Sequence, residues 1–245
     1  RVRELPGAVM VLYRAGAEGE FIRDQEHLAA RWVSGQDGVY TETDRINGRI
    51  PEGYEKGDLK PHRLTRLPDG IYYLAEQKSP DYYTLMEPIK LVFSQKEQTR
   101  IVRAANRPAE GELEILKKDG QGDLLEGALF RLTACRDPEG EQPVFTRDLS
   151  GHQGRTLARN LPVGETAPDG SVKPYWYRIQ EITPPEGYES DRQVHVFRFP
   201  PDDQGKSWNC GQRARVRLEI TDRKTRVVIG KRNFEPPGQW VAGAE

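Results

Sequence analysis

A small set of landmarks recurs along this chain in one order, and a chain that repeats itself buries its apolar surface in units that copy one another. Gly7-Ala8, within LPGAVMVLY, returns as Gly127-Ala128 within LEGALFRL and as Gly243-Ala244 within VAGAE. The segment YYLAEQKSPDYY around Glu76 matches YRIQEITPPEGY around Glu181. In both, a proline (Pro80, Pro185) lies four residues beyond the glutamate and a tyrosine (Tyr83, Tyr188) seven beyond. LPDG, ending at Gly70, and LPVG, ending at Gly164, precede the two glutamates at turns. The repeat predicts one unit over 1–108, a second over 109–224, and the first strand of a further unit in 225–245. The boundaries fall at NRPAEG (Asn106 to Gly111) and at TDRKTR, ending at Arg226. The second unit carries a strand, ELEILKKD, ahead of its Gly-Ala segment, and the tail carries VVIGKR ahead of VAGAE. The first unit lacks that strand.

Within each unit the runs are short, rich in β-branched and aromatic residues, and punctuated by Gly, Pro, Asp and Asn. The expected fold is all-β, with tandem prealbumin-like or Ig-like β-sandwich domains. DQEHLAARW, ending at Trp32, is the one stretch that reads as a helix, and Phe21 to His62 reads as a long insertion in the first unit. Lys plus Arg number 37 against 38 Asp plus Glu, so charge offers no reason to expect nucleic acid or an anionic membrane as partner. No apolar run is long enough to span a bilayer, and RVRELPG is not followed by the apolar stretch of a secretory signal. Cys135 and Cys210 both fall in the second unit, where they form either one disulfide or two free thiols.

The polar residues that fall in phase with apolar ones carry more information, because alternate side chains of a half-buried strand face the core. Lys117 shares a face with Leu113 and Ile115; Glu181 with Tyr175, Tyr177 and Ile179; Asp222 with Val216, Leu218 and Ile220. One such residue at a strand end is ordinary. Three in one unit, each closing a regularly alternating strand, point an amine and two carboxyls at one interior. Burial away from water disfavours charge, so the three groups could meet neutral. A neutral lysine amine is a nucleophile, and a protonated glutamate can polarise an aspartic carboxyl and carry protons. The expected product is an amide cross-link between Lys117 and Asp222, with loss of one water.

The succession GELEILKKD, LEGALF, NLPVG, QEITPPEGY and LEITD resembles the collagen-adhesin B-type repeat, the SpaA-type isopeptide-forming domain of Gram-positive surface proteins and pilins. The resemblance covers essentially all of the second unit. It implies a spontaneous isopeptide bond in which Lys117 is donor, Asp222 acceptor and Glu181 catalyst. The first unit is similar from Leu5 to Asn106, with Glu76 in the catalytic place and Asn106 in the acceptor place, Val102, Ala104 and Asn106 being in phase. It departs from the pattern in having no lysine before Gly7 and in placing Tyr82 where the second unit has Gly187. No bond is expected there unless a strand is supplied. Lys231, in phase with Val227 and Ile229, fits the donor place of a further repeat.

The resemblance implies a structural stalk or spacer of a cell-wall-anchored protein on a Gram-positive surface. Its partners would be neighbouring repeats and, in addition, host extracellular matrix or other surface subunits. A ligand-binding adhesin module, reading host matrix through the first-unit insertion, is the alternative. An enzyme acting on an outside substrate is not expected. His27, His62, His152 and His195 show no metal-ligand spacing, GQGDLLEG lacks the lysine of a phosphate loop, and NLPVGE lacks the threonine of a sortase signal. Neither metal nor cofactor is therefore expected.

Overall fold

The computed structural model describes residues 4–94, 101–199 and 213–230. The amino-terminal half holds one antiparallel sheet in the order β2-β1-β3-β4, built from Val9–Arg14 (β1), Leu28–Val33 (β2), Gly70–Lys78 (β3) and Ile89–Phe93 (β4). Met10, Leu12, Tyr72 and Leu74 pack with Met86 and Leu91 into a core of their own.

The carboxy-terminal half is a sandwich of two four-stranded sheets. One runs β13-β11-β6-β7, from Leu129–Cys135 (β6), Pro143–Ser150 (β7), Trp176–Thr183 (β11) and His195–Phe197 (β13). The other runs β12-β14-β5-β8, from Glu110–Asp119 (β5), Arg155–Pro162 (β8), Tyr188–Glu189 (β12) and Ala214–Lys224 (β14). A short ribbon of Gly164–Thr166 (β9) and Val172–Pro174 (β10) stands apart. Leu113, Ile115, Val216 and Ile220 from one sheet meet Phe130, Leu132, Tyr177 and Ile179 from the other in the larger core. The first and last strands of this half, β5 and β14, are neighbours and parallel, in register from Ala214 opposite Gly111 to Asp222 opposite Asp119. Parallel strands cannot be joined by a tight hairpin, and here the connection is the rest of the sandwich.

Matched local devices appear in the two halves. Gly7 and Gly127 have φ of +89° and +96°, a region in which only glycine is unstrained, so each turns the chain into the strand that follows. Tyr72 donates its hydroxyl to the Pro68 carbonyl at 3.0 Å and Tyr177 to the Pro162 carbonyl at 2.6 Å, tying each LPxG turn to the strand that carries the glutamate.

Three expectations need correction. Asp24–Trp32 is not helical: Leu28, Ala30 and Trp32 alternate on one face of β2, which pairs along β1. Pairing with an existing strand outweighs helix propensity in so short a run. The helix of the amino-terminal half is Glu42–Ile46 (α1), capped at Thr41, whose hydroxyl accepts from Asp44 N–H while the Asp44 carboxylate takes the Thr41 amide. The supposed insertion from Phe21 to His62 therefore contains an integral strand, and the irregular stretch lies between β2 and β3. Finally, Val102, Ala104 and Asn106 do not form a strand, since residues 101–107 carry no ladder. The strand that would pair with them, as β5 pairs with β14, has no counterpart beside them among the described residues, and a ladder needs both partners.

Candidate functional site

Lys117, Glu181 and Asp222 converge in the carboxy-terminal half. Period-two alternation along β5, β11 and β14 turns all three inward, and they are 2%, 5% and 1% exposed. Lys117 Nζ donates to Asp222 Oδ1 and stands 2.9 Å from Glu181 Oε1. The second contact is an ion-pair distance without hydrogen-bond alignment, so Glu181 Oε1, like Asp222 Oδ2, has no aligned donor among the described residues. The register explains the reach. Lys117 is opposite Ile220 on β14, and its four-carbon stem extends past it to Asp222. Glu181 comes from the facing sheet, opposite Phe130 of β6, and the fully buried Phe130 ring lies 5.9 Å from Nζ.

Burial pushes the Asp222 carboxyl above its ordinary range, a tendency only partly offset by the hydrogen bond and charge of Lys117 and reinforced by the charge of Glu181. Asp191 was not singled out in the sequence. Its backbone N–H donates to Glu181 Oε2 at 2.9 Å and so fixes which oxygen faces the lysine. Although burial acts to raise it, the Asp191 carboxyl is held low by the Gln193 amide, by His195 and by the charge of Lys117. The Asp191 to His195 contact is 2.9 Å. The signal available in the sequence was DRQVH, an acid and a histidine four apart following the ExxxPxGY segment.

In the amino-terminal half Glu76 is 1% exposed. Its Oε2 accepts from Met86 N–H at 2.8 Å and from Asn106 Nδ2 at 2.7 Å, and Nδ2 donates also to the Thr84 carbonyl at 2.9 Å. Burial raises the Glu76 carboxyl despite these two bonds. Glu76 and Asn106 are thus brought together, with no lysine beside them among the described residues. Cys135 is a buried thiol at the end of β6, free among the described residues, and burial raises it. Cys210 and Lys231 lie outside the described residues. Each histidine pairs with a carboxylate: His27 with Asp24, His62 with Asp37, His152 with Glu126 and His195 with Asp191. No group of three or more potential metal ligands occurs among the described residues.

No protein-family model matches the chain, and no curated protein matches it in sequence. Solved structures do match. The Bacillus anthracis TIE protein aligns over 91% of this chain and 32% of its own length, at 21% identity and a TM-score of 0.50. GBS52, the minor pilin of Streptococcus agalactiae, aligns over 94% and 88% at 16% identity and a TM-score of 0.35. The shaft pilin SpaA from Lactobacillus rhamnosus GG aligns over 92% and 87% at 13% identity and a TM-score of 0.31. With the TIE protein the chain shares an all-β sandwich fold. It spans about a third of the length of the TIE protein. At such identities the likeness concerns the fold alone, and the chemistry has to come from the residues themselves. Among the described residues no helix is long and apolar enough to cross a membrane.

Proposed function

We propose that the carboxy-terminal half ties its first strand to its last through an amide between Lys117 Nζ and Asp222 Cγ, and that the chain is a stalk or spacer of a Gram-positive surface protein. The observation that carries this reading is the contact of one amine with two carboxyls, all three nearly sealed from water. One proton of the Lys117 ammonium passes to the carboxylates, leaving a neutral amine. Nζ then bonds to Asp222 Cγ. Glu181, held by the Asp191 amide, relays a further proton from nitrogen to the departing oxygen of Asp222. The carbon–oxygen bond breaks, one water leaves, and the amide remains. Holding the reactants in contact is worth roughly 7–11 kcal/mol of barrier in well-oriented intramolecular reactions. The dry surroundings of Phe130 and Ile220 favour the neutral amide over the separated ions.

Each molecule reacts once and consumes its own side chains, so no outside substrate is required. The units that follow from this reading are 1–108, 109–224 and the start of another from 225. Extracellular placement on the cell surface suits a bond whose use is resistance to pulling and proteolysis, and neighbouring repeats or other surface subunits are the partners it implies. Intact mass of the purified chain tests the reading. The parent should be short of one water relative to its sequence, and that water should return in Lys117→Ala, Glu181→Ala and Asp222→Ala. A parent of full mass would exclude the bond.

A further inference from the structure

The two buried glutamates are aimed in the same way. Each accepts at Oε2 from the backbone N–H ten residues further on, Met86 at 2.8 Å and Asp191 at 2.9 Å. The two donors are anchored differently. Met86 is 8% exposed and packs in the core of the amino-terminal half, so apolar contact holds its amide in place. Asp191 is only partly buried, and an aspartate has little apolar surface with which to grip a core. Something else has to hold its amide against Glu181.

The segment that carries Asp191 crosses from one sheet of the sandwich to the other. Tyr188 and Glu189 of β12 pair with Lys224 and Arg223 of β14, the strand of Asp222, whereas β13 pairs with β11, the strand of Glu181. Asp191 lies on the crossing, and its amide serves both edges of the site. It donates to Glu181, and it favours the ionised form of Asp222 against the burial that raises that carboxyl. Residues 190–194 form no ladder, and the Asp191 carboxylate does the work of one. Oδ1 accepts from the Gln193 N–H at 2.9 Å, a turn that fixes the chain on itself, and Oδ2 lies 2.9 Å from His195 Nε2. His195 is fixed in turn by its pairing with Ile179, two residues before Glu181 on the same strand. The contact therefore closes a circuit, from Glu181 along β11 to His195, across to the Asp191 carboxylate, and back through the Asp191 amide to Glu181.

We infer that the Asp191–His195 pair is a positioning device for the cross-link: it holds the crossing closed, so that the Asp191 amide keeps Glu181 turned with Oε1 toward Lys117 Nζ, 2.9 Å away. This rests on the amide proposed between Lys117 and Asp222. Both side chains act through the Asp191 N–H rather than on the reacting atoms. A glutamate that swings away from the lysine loses the relay, because a proton passes between heavy atoms only within hydrogen-bond reach. The side chains of His195 and Asp191 are 20% and 21% exposed, so the pair stands near solvent, where such a contact adds little to the stability of a fold. Its weight falls on the rate of the cross-link instead.

The full chain, made by timed cell-free synthesis and followed by intact mass, gives the rate at which one water is lost. His195→Ala and Asp191→Ala should lose it about tenfold more slowly than the parent, the effect on a rate of one charge-assisted hydrogen bond. His195→Gln, whose side-chain amide donates to the same carboxylate, should recover the parent rate to within about threefold. Asp191→Asn, which keeps an acceptor for the Gln193 N–H and a partner for His195, should do the same. Melting of these variants in a Lys117→Ala background, where no bond intervenes, should shift by no more than about 2 °C. A His195→Ala chain that reacts as fast as the parent overturns the positioning role and leaves the cross-link standing. So does an alanine variant that melts far below its background, which marks the pair as an ordinary structural contact. An Asp191→Asn chain as slow as Asp191→Ala overturns it too, by placing the effect in the charge of the carboxylate. A parent that never loses water overturns the cross-link itself, and the positioning role with it.

Discussion

Glu76 and Glu181 pose the same problem with different solutions, since each is a carboxyl buried by strand alternation. Glu181 has an amine within ion-pair distance, and among the described residues Glu76 has an amide side chain and a backbone N–H. Burial therefore raises the Glu76 carboxyl from its ordinary 4.5. A group that holds its proton more tightly in the fold than in the open chain makes the fold bind more protons across the window between those two titration points. Stability is then greatest below pH 4.5 and falls as pH rises through the window. Thermal melts of the amino-terminal half should show this decline, and Glu76→Gln should flatten it. A parent whose melting is level from pH 4.5 upward would mean that Glu76 is paired in solution. At this scale the three residues of the carboxy-terminal site were readable from parity, because a period of two leaves no choice of face. Asp191 was not, because it contributes a backbone N–H, and every residue type has one.

Among the elements, the Gly-Ala segments show how much one backbone angle can hold. Gly127 sits at φ +96°, and a Cβ added there would meet nothing within 4 Å, so the cost of a side chain is backbone strain alone. Gly127→Ala should lower the stability of the carboxy-terminal sandwich by about 1–2 kcal/mol. Urea unfolding in a Lys117→Ala background, where no covalent tie intervenes, would measure it. A change near zero would mean that β6 can be entered without the left-handed turn. Two elements were misread from the sequence for one reason. Asp24–Trp32 has the composition of a helix but pairs with β1, and residues 101–107 have the alternation of a strand but form no ladder with another strand among the described residues. Whether a segment is a strand is settled by what lies beside it, which short-range pattern does not contain.

Across the molecule, the parallel pairing of β5 with β14 decides how tension travels. Force entering at Glu110 and leaving at Lys224 shears the ladder between first and last strands rather than unzipping it. With an amide between Lys117 and Asp222, the load crosses from one strand to the other at that point, and residues 118–221 carry none. Pulled from its ends, the parent should extend by roughly 350 Å less than Lys117→Ala, at about 3.4 Å for each residue released. Single-molecule force spectroscopy gives this length directly. Equal extensions would remove the mechanical role from the cross-link.

The all-β class, the two positions of the Glu-Pro-Tyr segment and the inward aim of Lys117, Glu181 and Asp222 follow from local pattern, because periodicity and turn residues act over a few neighbours. Tertiary structure alone decided that the three strands bearing those groups meet at one end of the sandwich. It also decided that β5 and β14 run parallel, and that Glu76 and Asn106 share a half with no lysine beside them among the described residues. Those outcomes depend on strand order and register, which arise from pairings between residues as much as a hundred positions apart, as Lys117 and Asp222 are.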